Sequence, residues 1–150
     1  MKDLRIAYLN VCGFTQDKWD ILVKYVGVYD LVFVAETWYI DQEKRMHFPL
    51  ILASTYPSKV YPGWQHHGLL YFCSPTLRPL VSQIRVSEFS VSVTVLGHTI
   101  LGIYAPPGLS CHRFTAVLTG WSPPSVIVGD MNVRFGPSWG DTSTGPSERL

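Results

Sequence analysis

The run Asp30–Ala35, DLVFVA, constrains this chain more than any other segment. A short stretch this apolar makes a strand buried on both faces. Upstream of it, Trp19, Leu22 and Val26 fall on one helical face, with Tyr25 beside them. Thr15 stands where a helix needs a cap, and Gly27 suits the end of a helix over Gln16–Val26. Earlier still, Leu4–Cys12 reads as a strand with Leu4, Ile6 and Tyr8 on one face. The N-terminal part up to Glu36 therefore predicts β-α-β, with a helix about the right length for a crossover between neighbouring strands of one sheet. That places the chain in the α/β class.

The rest adds strands. Gly68–Cys73, GLLYFC, is a second apolar strand. Phe89, Val91, Val93 and Val95 then alternate with Ser90, Ser92 and Thr94, and Gly97-His98 offers a two-residue turn into a strand over Thr99–Ala105. Pro106-Pro107-Gly108 stops that strand, a short helix follows over Cys111–Thr119, and Ser125–Gly129 is a last strand ending at Asp130. Asp41–His47 reads as a helical turn and Tyr56–Gln65 as a loop marked by Pro57, Pro62 and Gly63. Arg134–Leu150 is dominated by Gly, Pro, Ser and Thr and carries no strand or helix signal. It is either a tail or the start of a fold that this chain does not complete, and the second reading is preferred.

Composition narrows the function classes. The 150 residues suggest one domain, and at 47% hydrophobic and 15% charged they can bury a sizeable core. A net charge of +1 does not argue for a non-specific nucleic-acid binder, so any attraction for phosphate must be local. Cys12, Cys73 and Cys111 are odd in number and widely spaced, which disfavours a zinc site or disulfide framework and suggests a reduced, intracellular protein. The N-terminus MKDLRIAYLN turns polar too soon for a signal peptide, and no apolar run approaches the ~20 residues of a membrane span. A soluble protein without a membrane partner is expected.

Chemistry is expected at the strand ends, because sites in open α/β sheets lie beyond the carboxyl ends of the strands. Three of the predicted strands finish in polar residues: Leu4–Cys12 at Asn10, Asp30–Ala35 at Glu36, and Ser125–Gly129 at Asp130 and Asn132. Carboxylates and amides delivered to one rim form a hard-oxygen set suited to Mg²⁺ or Mn²⁺. Each residue alone has a plainer reading: Glu36 as a cap for a following turn, Asp130 and Asn10 as ordinary turn formers. The set and its order weigh more than any member.

The order IAYLNVCG, LVFVAETW, HGLLYF, ILGIYAPP and VIVGDMN resembles the endonuclease/exonuclease/phosphatase superfamily, which includes apurinic endonucleases and DNase I. Among its branches, LN-x-x-G, ETW and IYAPP look like the endonuclease domains of non-LTR retrotransposons. The resemblance implies a DNase I-like four-layer α/β sandwich, incomplete at the C-terminus, and a Mg²⁺-dependent phosphodiester hydrolase acting on DNA. By position, Glu36 would be the principal metal ligand and Asn10 would support the metal directly or through water. Asp130 would orient or deprotonate the attacking water. Asn132 would bond the scissile phosphate or position Asp130, and Tyr104 would contact the phosphate or leaving group.

The family also has a later Asp and a closing Ser-Asp-His segment, and nothing after Asn132 supplies them. The five histidines, His47, His66, His67, His98 and His112, all precede GDMN. His66 or His67 could approach the rim, although a surface-loop histidine is the commoner outcome, and Arg134 is more simply solvated than phosphate-binding. Two other functional readings stay open: a binding module or remnant of the same fold without turnover, and a hydrolase of RNA, phosphoinositides or other phosphoesters. Oligomeric state has no sequence signal.

Overall fold

The computed structural model describes residues 3–13, 15–38, 51–55, 68–107 and 109–132. The predicted turn at Asp41–His47, the loop Tyr56–Gln65, the segment Arg134–Leu150, and His47, His66, His67 and Arg134 lie outside them.

Two four-stranded sheets stack face to face. The first has the order β1-β2-β4-β3, with β1 at Ile6–Asn10, β2 at Leu31–Ala35, β3 at Ile51–Thr55 and β4 at Leu69–Cys73. The second has the order β5-β6-β7-β8, with β5 at Val81–Val86, β6 at Ser90–Val95, β7 at His98–Tyr104 and β8 at Val126–Asp130. Each sheet contains one parallel pair, β1 with β2 and β7 with β8; the other pairings are antiparallel. Each parallel pair is joined through a helix: α1, Gln16–Val26, and α2, Cys111–Thr119. A parallel pair needs such a crossover, since no tight turn can reverse the chain twice.

The period-2 pattern decides what faces what. Leu31 and Phe33 of β2, with Tyr71 and Cys73 of β4, meet Val91, Val93 and Val95 of β6 and Ile100 of β7 in the central core. Phe33 stands edge-on to Tyr71, ring centres 4.3 Å apart. Gly102 of β7 lies over the Phe33 ring, where a methyl group would collide with it, so this glycine lets the sheets close on a large side chain. The alternate residues Val32, Val34, Leu70 and Phe72 pack under α1 through Leu22 and Trp19. Burying side chains of this size stabilises by about 1.5–3 kcal/mol each. Beside the second sheet, α2 packs through Phe114 and Val117 against Phe89, just before β6, and against Ala105 and Leu109, after β7. The order is thus α1, first sheet, second sheet, with α2 packed on the residues that flank β6 and follow β7: an α/β sandwich.

Both helices occupy the predicted spans. The Thr15 hydroxyl accepts from the Lys18 N–H at 3.4 Å and so starts α1; Ser110 accepts from Arg113 N–H in the same way and starts α2. Gly27 follows α1 as expected but keeps a right-handed φ of −77°, so the helix ends without the left-handed cap that glycine usually supplies. The hairpin differs from expectation by one residue. The turn is Leu96-Gly97, both with positive φ (50° and 81°), and His98 is already paired with Val95 in β7. Two consecutive left-handed residues make the I′ turn whose twist suits adjoining strands. Among the described residues no helix is long and apolar enough to cross a membrane.

Candidate active site

The two parallel pairs put four strand ends at one rim. Register sets Asn10 beside Ala35, the residue before Glu36, in the first sheet, and Tyr104 beside Asp130 in the second. Stacking the sheets then joins the ends across the sandwich. Glu36 Oε1 accepts from the Asn10 amide at 2.8 Å and from the Tyr104 hydroxyl at 2.8 Å. The same Asn10 Nδ2 lies 3.4 Å from Asp130 Oδ2. One amide therefore faces two carboxylates, and residues 120 positions apart in sequence become neighbours.

Each member is locally fixed. Asn10 Oδ1 accepts from Cys12 N–H at 3.0 Å, which determines that its NH₂ side turns to the carboxylates. Glu36 sits immediately past β2 with φ of 52°, and its carbonyl accepts from Gly13 N–H at 2.7 Å. Asn132, with φ of 47°, donates its backbone N–H to Asp130 Oδ1 at 3.0 Å and its side-chain amide to Ala105 O at 2.8 Å. It thus holds both Asp130 and the end of β7. The glycine of GDMN serves the packing of β8 on β7. Gly129 lies so close to the Ile103 backbone that a methyl group would collide with it.

Exposure grades across the cluster. Asn10 and Asn132 are exposed, Glu36 and Asp130 half-buried, and Tyr104 is only 2% exposed. Burial raises the Tyr104 hydroxyl well above its ordinary pKa; the bond to Glu36 and the charges of Glu36 and Asp130 push it the same way. Tyr104 is accordingly a neutral donor at any physiological pH.

Tyr8 and Lys18 carried no functional sequence reading, yet both adjoin the site. Tyr8 shares the parity of Asn10 on β1 and packs against Ala35, Leu69 and Tyr104. Its pKa is raised by burial first, and the charges of Asp130 and Glu36 add to the shift. The i, i+2 relation to Asn10 was the available signal. Lys18 binds the carbonyls of the loop after β1, and no spacing rule points to it. His98 and His112, both exposed, lie on β7's opening residue and on α2, away from the carboxyl ends of the strands.

Among the described residues no three of His, Cys, Asp and Glu come together. The rim instead offers two carboxylates and an amide. Glu36 uses only Oε1 in the bonds to Asn10 and Tyr104. An all-oxygen set of one or two carboxylates is what Mg²⁺ takes from proteins, the remainder being water and substrate oxygens.

No family model and no curated protein matches the chain. Solved structures do. An AP endonuclease from Archaeoglobus fulgidus aligns with a TM-score of 0.57 at 14% identity, over 87% of this chain and 58% of that one. The Neisseria 3′ phosphatase NExo, bound to a product DNA hairpin, aligns with a TM-score of 0.58 at 14% identity, over 87% and 58%. TDP2 from D. rerio, complexed with a single-strand DNA product, aligns with a TM-score of 0.55 at 17% identity, over 89% and 62%. The chain thus spans about three-fifths of the length of these proteins. Two stacked mixed sheets, a helical crossover within each and a polar rim at the parallel strand ends give this chain the DNase I-like α/β fold that it shares with these three structures.

Proposed function

We propose that the chain carries part of a Mg²⁺-dependent phosphodiester hydrolase acting on DNA, an endonuclease domain of the retroelement type. The observation that carries this reading is the cross-sheet cluster, in which Asn10 and Tyr104 hold Glu36 beside Asp130. Two structures of the same fold hold DNA products. The retroelement origin rests on the LN-x-x-G, ETW and IYAPP segments.

Glu36 would hold the cation, its Oε1 being oriented by two donors. Mn²⁺ is an acceptable substitute for Mg²⁺ with such ligands. Such a cation, when bound, would neutralise charge on the phosphate oxygens and make water easier to deprotonate. Asp130, whose Oδ1 is fixed by Asn132 N–H, takes the proton of the attacking water. Asn132 commits one amide hydrogen to Ala105 and has a second for a phosphate oxygen. Asn10 aligns the two carboxylates through its NH₂ group; direct ligation through Oδ1 requires the amide to turn and release Cys12 N–H. Tyr104 orients Glu36, and its contact with phosphate requires the hydroxyl proton to leave Oε1.

Titration of the chain with Mn²⁺ tests the site. Binding should weaken by about tenfold or more in Glu36→Gln, the scale expected when a metal site loses a supporting group. Wild-type affinity in Glu36→Gln and in Asp130→Asn would remove the assignment. A panel of plain duplex, abasic duplex, RNA and inositol phosphates, offered with Mg²⁺ to the complete domain, tests the substrate. Turnover confined to RNA or inositol phosphates would overturn the DNA reading.

A further inference from the structure

We infer that Lys18 is a positioning residue of this site, acting through the loop after β1. The Lys18 ammonium donates to three successive carbonyls, Val11 O at 2.5 Å, Cys12 O at 3.1 Å and Gly13 O at 3.0 Å. These use all three N–H donors of an ammonium. Three consecutive carbonyls converge only because the backbone turns left-handed at Cys12 (φ 45°) and Gly13 (φ 85°). Their dipoles repel unless a cation sits among them.

The opposite edge of the same loop serves the carboxylate cluster. Cys12 N–H donates to Asn10 Oδ1, and Gly13 N–H donates to the Glu36 carbonyl. Carbonyls toward Lys18 and amides toward Asn10 and Glu36 make the loop a rigid link between them. Lys18 also occupies the third position of α1, where the positive end of the helix dipole disfavours a cation. Thr15 fixes that position by capping the Lys18 N–H. The helix start thus places the ammonium, the ammonium sets the loop, and the loop turns the Asn10 amide toward Glu36 and Asp130.

This role rests on the proposed metal site, and two measurements separate the two ideas. Lys18→Met keeps the length and apolar stem of the side chain. Amide hydrogen exchange should show Cys12 and Gly13 protected in the wild type and unprotected in Lys18→Met; unchanged protection overturns the role, whatever binds at the site. Mn²⁺ affinity should fall by about tenfold in Lys18→Met and should not fall further when the change is made in an Asn10→Ala background. An undiminished additional loss in that background overturns action through Asn10. Lys18→Arg keeps the charge, but its planar fork cannot meet three converging carbonyls, so it should show both losses in smaller degree. Full wild-type behaviour in Lys18→Met also overturns the proposal. If the wild type binds no Mn²⁺, the metal reading falls, and the exchange result alone decides the role of Lys18 in ordering the loop.

Discussion

Replacing Asn10 by aspartate tests the central geometry directly, because the change is nearly isosteric and reverses one end of the amide. Nδ2 lies 2.8 Å from Glu36 Oε1 and 3.4 Å from Asp130 Oδ2. A carboxylate oxygen there meets two like charges and donates to neither. With the full screening of water the two repulsions sum to about 3 kcal/mol, and an effective dielectric near 20 makes them several-fold larger. The residue is exposed, so the lower figure is appropriate. That is a large fraction of the ~5–15 kcal/mol by which domains are stable. The carboxyl introduced at position 10, facing these two like charges, would then have its pKa raised above the ordinary value near 4. A raised pKa gives stability below the unfolded value that is lost as pH rises through the folded one. N10D should therefore lie about 3 kcal/mol below wild type in urea melts at pH 7.5, the deficit shrinking toward zero near pH 4. Millimolar Mg²⁺ should restore part of it at neutral pH by occupying the enlarged acidic set. A deficit under about 0.5 kcal/mol at pH 7.5, or one independent of pH, would show that the Asn10 amide does not face the carboxylates.

Three further outcomes are expected. Gly129→Ala drives a methyl group into the Ile103 backbone, which has no side chain to swing aside, and should cost about 3 kcal/mol in urea melts. Tyr8, Tyr71 and Tyr104 all have pKa values raised mainly by burial, so stability should fall as pH rises above the unfolded value near 10, by about 1.4 kcal/mol per pH unit for each. Tyr71→Phe should make that fall shallower and cost little at pH 7, since the buried Tyr71 hydroxyl has no hydrogen-bond partner among the described residues. At position 36, Glu36→Gly should be more stable than Glu36→Ala by about 0.5–1 kcal/mol, because alanine keeps the strain of a left-handed φ that glycine relieves; the ordinary order, alanine above glycine, would contradict that backbone assignment.

Much of the fold was legible because its signals are local. The α1 span follows from its cap Thr15 and its apolar spacing, and β2 and β4 from apolar runs that prove buried on both faces. The hairpin turn was misplaced by one residue because sequence preference assigns left-handed φ to Gly97 but not to Leu96, and here pairing of His98 with Val95 imposes it. Neither β3 nor β5 was anticipated. In Val81–Val86 the apolar residues Ile84 and Val86 are exposed, so the segment does not announce a buried face. What no local signal carries is which face of one sheet meets which face of the other. That arrangement rests on Gly102 against Phe33 and on Tyr71 beside it, contacts between residues far apart in sequence.

The site was legible as a set of strand ends and illegible as a mechanism for holding them. Of the five non-glycine residues with positive φ among the described residues, four lie on the segments just past those ends: Cys12, Glu36, Trp38 and Asn132. Such conformations cost about 1–3 kcal/mol each and persist only where surrounding bonds over-determine them. The bonds are present: Cys12 N–H to Asn10, Gly13 N–H to the Glu36 carbonyl, Thr37 N–H to the Gly68 carbonyl and Asn132 to both Asp130 and Ala105. A strand that ran on in the β conformation would carry its next side chains past the rim. An abrupt left-handed step keeps the residues after each strand at the rim and holds the carboxylates there. Donors and charges fixed in advance are what make electrostatic stabilisation effective, since nothing must reorganise during the reaction. Only Asn132 is of a type that tolerates the left-handed region readily. Glu36, Trp38 and Cys12 carry no such signature, so the strain that shapes the site is visible in the backbone and not in the residues that bear it.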